Sequence, residues 1–178
     1  LLDLHPLAQQ IGMDCPFFLH QQSVQLATGR GELLEPIAIA RLLKDYHCLV
    51  FCPSFEIHTP DIYRLFKENP HYSTQQTALL KNTLLSPQKD FDIEALCFNS
   101  FEFLVLNIYP ELNTLFTALR EHDFRPHLTG SGSGGFILGK NLLELQKAQK
   151  FIWDQWPDCR LCEIVTFDVA DQPSKNFT

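Results

Sequence analysis

The chain has 178 residues, 45% of them hydrophobic and 20% charged, and a formal net charge of -7. That suffices for one ordinary hydrophobic core, and it argues against general nucleic-acid binding, since the 14 basic residues are scattered rather than clustered. No apolar run approaches the roughly 20 residues a membrane span needs and no signal peptide is visible, so a soluble, cytoplasmic protein without a membrane or nucleic-acid partner is expected.

Leu1, Leu4, Leu7, Ala8 and Ile11 recur at helical spacing over residues 1–11, and Gly12 stands where a helix stops. The chain therefore opens inside a helix, as the back part of a longer protein would. Residues 17–20 and 23–28 read as two short strands joined by Gln21-Gln22, a hairpin whose pattern is broken by Gly29-Arg30-Gly31. The run His47-Cys48-Leu49-Val50-Phe51-Cys52, ended by Pro53, predicts a central strand. Thr59-Pro60-Asp61 predicts a helix start, with Thr59 as N-cap and Pro60 in the first helical position.

Weaker helical segments cover 75–85 and 92–97, with a loop over 86–90 between them. From 100 to 122 the apolar positions describe helices broken or kinked at Pro110. Short strands over 127–129 and 135–138 flank a glycine run. A helix capped by Asn141 follows over 141–156, then a last strand over 161–167 and a polar tail, 168–178, that frays. From residue 47 onward this order predicts an α+β layer, with helices on one face of a mainly antiparallel sheet.

The six cysteines, at 15, 48, 52, 97, 159 and 162, mostly sit in apolar runs, where a thiol behaves as a small hydrophobe. The single CxxC, Cys159-Arg160-Leu161-Cys162, has neither a second pair at zinc spacing nor a following helix, so no metal site is assigned. The seven histidines occur without an HxxxH or HxH pairing.

Two distant segments carry the candidate chemistry. In Ile11-Gly12-Met13-Asp14-Cys15-Pro16-Phe17-Phe18, the carboxylate of Asp14 sits between a helix end and an apolar run. It either satisfies loop amides or accepts a proton from a substrate hydroxyl. In Leu128-Thr129-Gly130-Ser131-Gly132-Ser133-Gly134-Gly135-Phe136, the glycines leave backbone amides open to an anion. A dinucleotide fingerprint needs a helix after the last glycine, yet Phe136-Ile137-Leu138 continues as a strand, and no Lys-Ser or Lys-Thr pair makes a Walker A loop. A hairpin loop remains, either a phosphate cradle or a flexible turn. Together the two segments suggest phosphoryl transfer. Pro60 and Tyr63 lie on one helical turn and form either an apolar wall for a planar base or ordinary helix packing.

The segment from Ile11 to Phe18 and the stretch Ala27-Thr28-Gly29-Arg30-Gly31-Glu32-Leu33-Leu34-Glu35-Pro36 resemble the G-x-D-V-P-x-F and A-x-G-x-G-E-x-L-x-P motifs of the 4-diphosphocytidyl-2-C-methyl-D-erythritol kinase family of GHMP kinases. Pro53 with Thr59-Pro60, then Tyr109-Pro110-Glu111-Leu112, then Leu128-Thr129-Gly130-Ser131-Gly132 resemble three further family motifs, so the likeness runs from about residue 1 to 168. Cys15 replaces the usual Val, Gly134-Gly135 replaces the usual Cys-Val, and residues 70–90 do not align.

The resemblance implies a GHMP-kinase C-terminal domain with a ferredoxin-like antiparallel sheet over 37–168, a remnant of the N-terminal domain over 1–36, and a tail over 169–178. It implies ATP-dependent phosphorylation of the 2-hydroxyl of the cytidine-diphosphate-linked substrate in non-mevalonate isoprenoid synthesis, with Mg2+ expected. Asp14 matches the catalytic aspartate. Thr59, Pro60 and Tyr63 match the substrate-side segment, with Tyr63 where an aromatic stacks on cytosine, and Thr129, Gly130, Ser131, Gly132, Ser133 and Gly134 match the loop near the phosphates. The family's catalytic lysine, its ATP loop and the second aromatic of the cytosine sandwich belong to an N-terminal half, so this chain is expected to be inactive alone and to have that half as partner. The alternatives are another GHMP small-molecule kinase and a non-catalytic ligand-binding α+β module.

Overall fold

Helix α1 (His5–Ile11) has Pro6 in its first turn, where a missing N–H breaks no helical bond, and it stops at Gly12, whose amide still reaches the Ala8 carbonyl at 3.1 Å. These are the first elements of a computed structural model that describes residues 4–19, 24–37, 43–68, 70, 74–85 and 92–167. The expected loop at 86–90 and tail at 168–178 lie outside the described residues. Residues 15–19 form a 3-10 helix, not the strand expected over 17–20. Buried Pro16 favours the helical φ, and the Phe17 amide turns back to the Asp14 carbonyl at 3.2 Å.

The hairpin therefore lies one step later than the sequence suggested. Strand β1 (Gln25–Thr28) pairs antiparallel with β2 (Leu33–Pro36), with Thr28 opposite Leu33. Gly29 (φ +70°) and Gly31 (φ +118°) supply the left-handed conformations of the connection, and the Glu32 carboxylate accepts the Arg30 amide at 2.6 Å. The glycines that end the strand pattern in the sequence do end β1, and they form the turn into β2.

Strand β3 (His47–Cys52) leads into α2 (Thr59–Glu68) and α3 (Thr74–Leu85). A 3-10 turn at Glu94–Leu96 stands where a weak helix was expected, and α4 (Glu102–Ile108) and α5 (Pro110–Glu121) divide at Pro110 as expected. Then come β4 (His127–Leu128), β5 (Gly135–Gly139), α6 (Leu142–Gln155) and β6 (Leu161–Thr166). The Asn141 side chain caps α6 by accepting the Leu143 amide at 3.0 Å. All pairings in the four-stranded sheet are antiparallel, in the order β4-β5-β3-β6. Strand, helices, two strands, helix, strand in that order is the ferredoxin-like arrangement the resemblance implied.

Alternation along β3 decides which face the helices cover. Leu49 and Phe51, both fully buried, pack with Ile137 and Cys162 of the neighbouring strands against Leu112, Phe116, Ala148 and Ile152 of the helices. The Phe51 and Phe116 rings meet edge to face at 6.0 Å. Burying each such ring stabilises by about 1.5–3 kcal/mol, enough to place this strand at the centre of the sheet. On the opposite face Cys48, Phe136 and Leu138 pack with Tyr46, Ile93 and Cys97.

The CxxC belongs to this packing. The Cys159 thiol donates to the Cys52 and Leu161 carbonyls, each at 3.0 Å, and burial pushes the Cys162 thiol up to about 12. Both are inert thiols rather than reactive ones. No described helix is long and apolar enough to cross a membrane.

Candidate functional site

The glycine turn between β4 and β5 closes on its own backbone. The Thr129 amide donates to the Gly134 carbonyl at 3.0 Å, and the Gly132 amide donates to the Thr129 carbonyl at 2.9 Å. Gly130 (φ +49°) and Gly132 (φ +85°) occupy the left-handed region. Gly132 is also crowded, because a Cβ there would stand 2.9 Å from Ile57 Cδ1 and 3.2 Å from Leu128 Cδ1. A Cβ on Gly130 would meet open space.

Side chains from remote segments hold this turn. The Thr59 and Ser131 hydroxyls are 2.7 Å apart. Ser133, itself buried, donates to the Phe55 carbonyl at 2.8 Å, so its hydroxyl points into the protein rather than toward a ligand. Asn99 Nδ2 donates to the carbonyls of Leu128 at 2.9 Å and Gly130 at 2.7 Å. Glu102 accepts the Leu128 amide at 3.0 Å through one oxygen and pairs with Arg120 at 2.9 Å through the other.

Thr59 is free to reach Ser131 because it does not cap α2. The Asp61 amide donates to the His58 carbonyl at 3.0 Å, so His58 precedes the helix and Thr59 is its first residue, with Pro60 second. This corrects the expectation of Thr59 as N-cap by one position. The Asp61 carboxylate, held below its usual range first by Arg64 and then by His58, occupies the first turn, where the helix dipole favours negative charge.

Beside the turn lies a cleft of about 630 Å³, lined by Tyr63, Phe66, Phe98, Phe101, Thr129 and Gly130 together with Lys67, Asn99, Ser100, Leu128 and Phe136. Tyr63, 52% exposed, stands edge to face on Phe101 at 4.9 Å, and Phe101 in turn meets Phe66 at 4.8 Å. The apolar wall is therefore Tyr63 with four phenylalanines, Phe66, Phe98, Phe101 and Phe136. Pro60 is exposed at the head of α2 and does not line it.

Thr59, Tyr63, Thr129, Gly130 and Ser131 thus come together. Asp14 does not line this cleft. It is exposed after α1, with its Oδ1 3.4 Å from where a Cβ on Gly31 would stand, against the turn between β1 and β2. Among the described residues no hydrogen bond to its carboxylate is made. No group of three His, Cys, Asp or Glu among the described residues is placed to hold a metal ion. Asn99, Phe101 and Glu102 are the site residues the sequence did not mark. The only local signal was an Asn two residues before the start of a helical pattern, the signature of an Asx turn.

No family model matches the chain. It is 32% identical over 158 residues to a 4-diphosphocytidyl-2-C-methyl-D-erythritol kinase of Chlorobium phaeobacteroides, covering 87% of this chain and 53% of that protein. The chain spans about half the length of the curated relatives it matches. A solved 4-(cytidine 5'-diphospho)-2C-methyl-D-erythritol kinase superposes with TM-score 0.66 at 25% identity, covering 92% of this chain and 57% of that one. An L. major mevalonate kinase solved in complex with R-mevalonate superposes with TM-score 0.56 at 15% identity over 82% of this chain and 49% of that one, a likeness of fold alone.

Proposed function

We propose that this chain, similar over most of its length to 4-diphosphocytidyl-2-C-methyl-D-erythritol kinases, is the substrate-side part of an ATP-dependent kinase phosphorylating the 2-hydroxyl of 4-diphosphocytidyl-2-C-methyl-D-erythritol. Its place is non-mevalonate isoprenoid precursor synthesis, as a soluble cytoplasmic enzyme. The observation that supports this most is the 2.7 Å contact of Thr59 with Ser131, which joins two distant family-like segments beside an aromatic cleft.

On this reading Tyr63 offers its exposed ring to the cytosine, since a base stacks on an aromatic face irrespective of its hydrogen-bonding edge. The amides of Gly130 and Ser131 donate to no described residue and are left for phosphate oxygens, which fits the polyphosphate end of ATP. Asp14 accepts the proton of the 2-hydroxyl as that oxygen bonds to the γ-phosphorus and the bond to the β–γ bridging oxygen breaks, releasing ADP. Mg2+, expected from the resemblance, would come with the nucleotide, and no step of this reading is routed through it.

Residues 1–36 then belong to the kinase N-terminal domain and 37–168 to the C-terminal one. Ile11 is 74% and Phe18 79% exposed, apolar surface suited to packing against the half that carries the family's ATP loop and lysine. Alone, residues 1–178 are expected to show no turnover.

The test is ADP release by the full-length protein given ATP and 4-diphosphocytidyl-2-C-methyl-D-erythritol, with mevalonate and homoserine as competitors. Transfer to the cytidylyl substrate is expected. Preference for mevalonate or homoserine would reassign the enzyme within the GHMP kinases. Absence of transfer to all three, with binding of a small ligand retained, would favour a non-catalytic module.

A further inference from the structure

On the kinase reading the glycine turn presents amides to an anion, yet it is built where the backbone is freest. Gly130 is its loosest point, in a left-handed conformation with nothing within 4 Å of its Cβ position. The carbonyls on either side of exposed Thr129, those of Leu128 and Gly130, converge on the single Nδ2 of Asn99, at 2.9 and 2.7 Å. The Oδ1 of the same side chain accepts the Phe101 amide at 2.9 Å. Both donor hydrogens and the acceptor of this amide are engaged inside the protein, so Asn99 has no hydrogen to offer a ligand.

We infer that Asn99 is the positioning residue of the glycine turn, setting which way its peptide planes face. In a trans peptide the carbonyl and the following amide point in opposite directions. Holding the Gly130 carbonyl therefore aims the Ser131 N–H away from Asn99. Were that plane to flip, a carbonyl oxygen would take the place of the N–H and repel the phosphate the turn is there to hold. Through Phe101, whose ring supports Tyr63, the same side chain also ties the phosphate end of the cleft to its aromatic end. The consequence for turnover rests on the kinase reading, whereas the control of the turn does not.

Two variants of the full-length protein test this. Asn99→Ser keeps a short side-chain acceptor able to cap the Phe101 amide as an ST turn, and it removes both donor bonds to the turn. Asn99→Asp keeps the shape and sets a carboxylate against two carbonyls. Both are expected to lower kcat by about 10- to 100-fold, the scale of a small misplacement of a reacting group. The KM for the cytidylyl substrate stays as in wild type, and hydrogen exchange accelerates in the peptide covering 129–134 but not in α5 or α6.

Wild-type kcat with unchanged exchange in Asn99→Ser overturns the inference. So does a rise in KM with kcat intact, which would make Asn99 a binding contact. If Asn99→Asp fails to fold, Asn99→Ser still decides. If the wild-type protein transfers no phosphate, the kinase reading fails, and the exchange comparison alone decides whether Asn99 sets the turn.

Discussion

The hydroxyl of Thr59 lies 2.7 Å from that of Ser131, so the first residue of α2 is bonded to the middle of the glycine turn 72 positions away. The two groups are largely accessible to water, which places the bond at the weak end of the range, about 0.5 kcal/mol net. A double-mutant cycle of Thr59→Val and Ser131→Ala, read from urea unfolding, should give a coupling of about that size. Additive single effects would mean that the two segments are merely adjacent.

The glycines of the turn should differ sharply in tolerance. A Cβ on Gly135 would run into the ring of Phe51, with Cε2 at 2.7 Å, and a fully buried ring at the centre of the sheet has nowhere to move. Gly135→Ala should therefore cost about 3 kcal/mol by overpacking. Gly130→Ala meets no atom and should cost only about 1 kcal/mol, for its left-handed φ. Thermal unfolding of the two variants checks the order, and equal losses would contradict it.

Tyr63 should act through its ring and not through its hydroxyl. Tyr63→Phe should bind CDP as wild type does, whereas Tyr63→Ala should bind it on the order of 10-fold more weakly, the scale of one lost base stack. Competition titration against CDP measures both. Equal affinity in Tyr63→Ala would remove the ring from the site.

What the sequence made legible follows from how local each cause is. The strand His47–Cys52 and the Asn141 cap were visible because a continuous apolar run and a capping side chain act within a few residues. The early hairpin was misread because Phe17-Phe18-Leu19 looks like a strand, although Pro16 steers it into a 3-10 turn and the real connection is Gly29 to Glu32. In the sequence Thr59 looks like a cap because the partner of its hydroxyl, Ser131, lies across the fold. Asn99 was missed for the same reason, since both carbonyls it holds are about 30 residues away in the chain. The glycine turn could be named as a loop, but the side chains that shape it are set by tertiary contact.

His127 should make stability pH-dependent. Its Nε2 is buried without a hydrogen-bond partner, beside the Phe136 ring at 5.3 Å. Burial holds its pKa below the usual value of about 6.5, with Glu102 opposing and Arg120 and Arg125 assisting. The unfolded chain then binds more protons at this site than the folded one, so stability falls as pH drops from above 6.5 toward the lower folded value. Unfolding free energies at pH 7.5 and 5.5 should differ more in wild type than in His127→Phe. The same difference in both would acquit this histidine.

The proposal for Asp14 is the most exposed to test, because that carboxylate stands apart from the cleft, beside Gly31. In the full-length protein, Asp14→Asn should lower kcat by about 100- to 10,000-fold, the usual contribution of a general base, while the affinities for ATP and the cytidylyl substrate stay as in wild type. Turnover left at the wild-type rate would contradict the account.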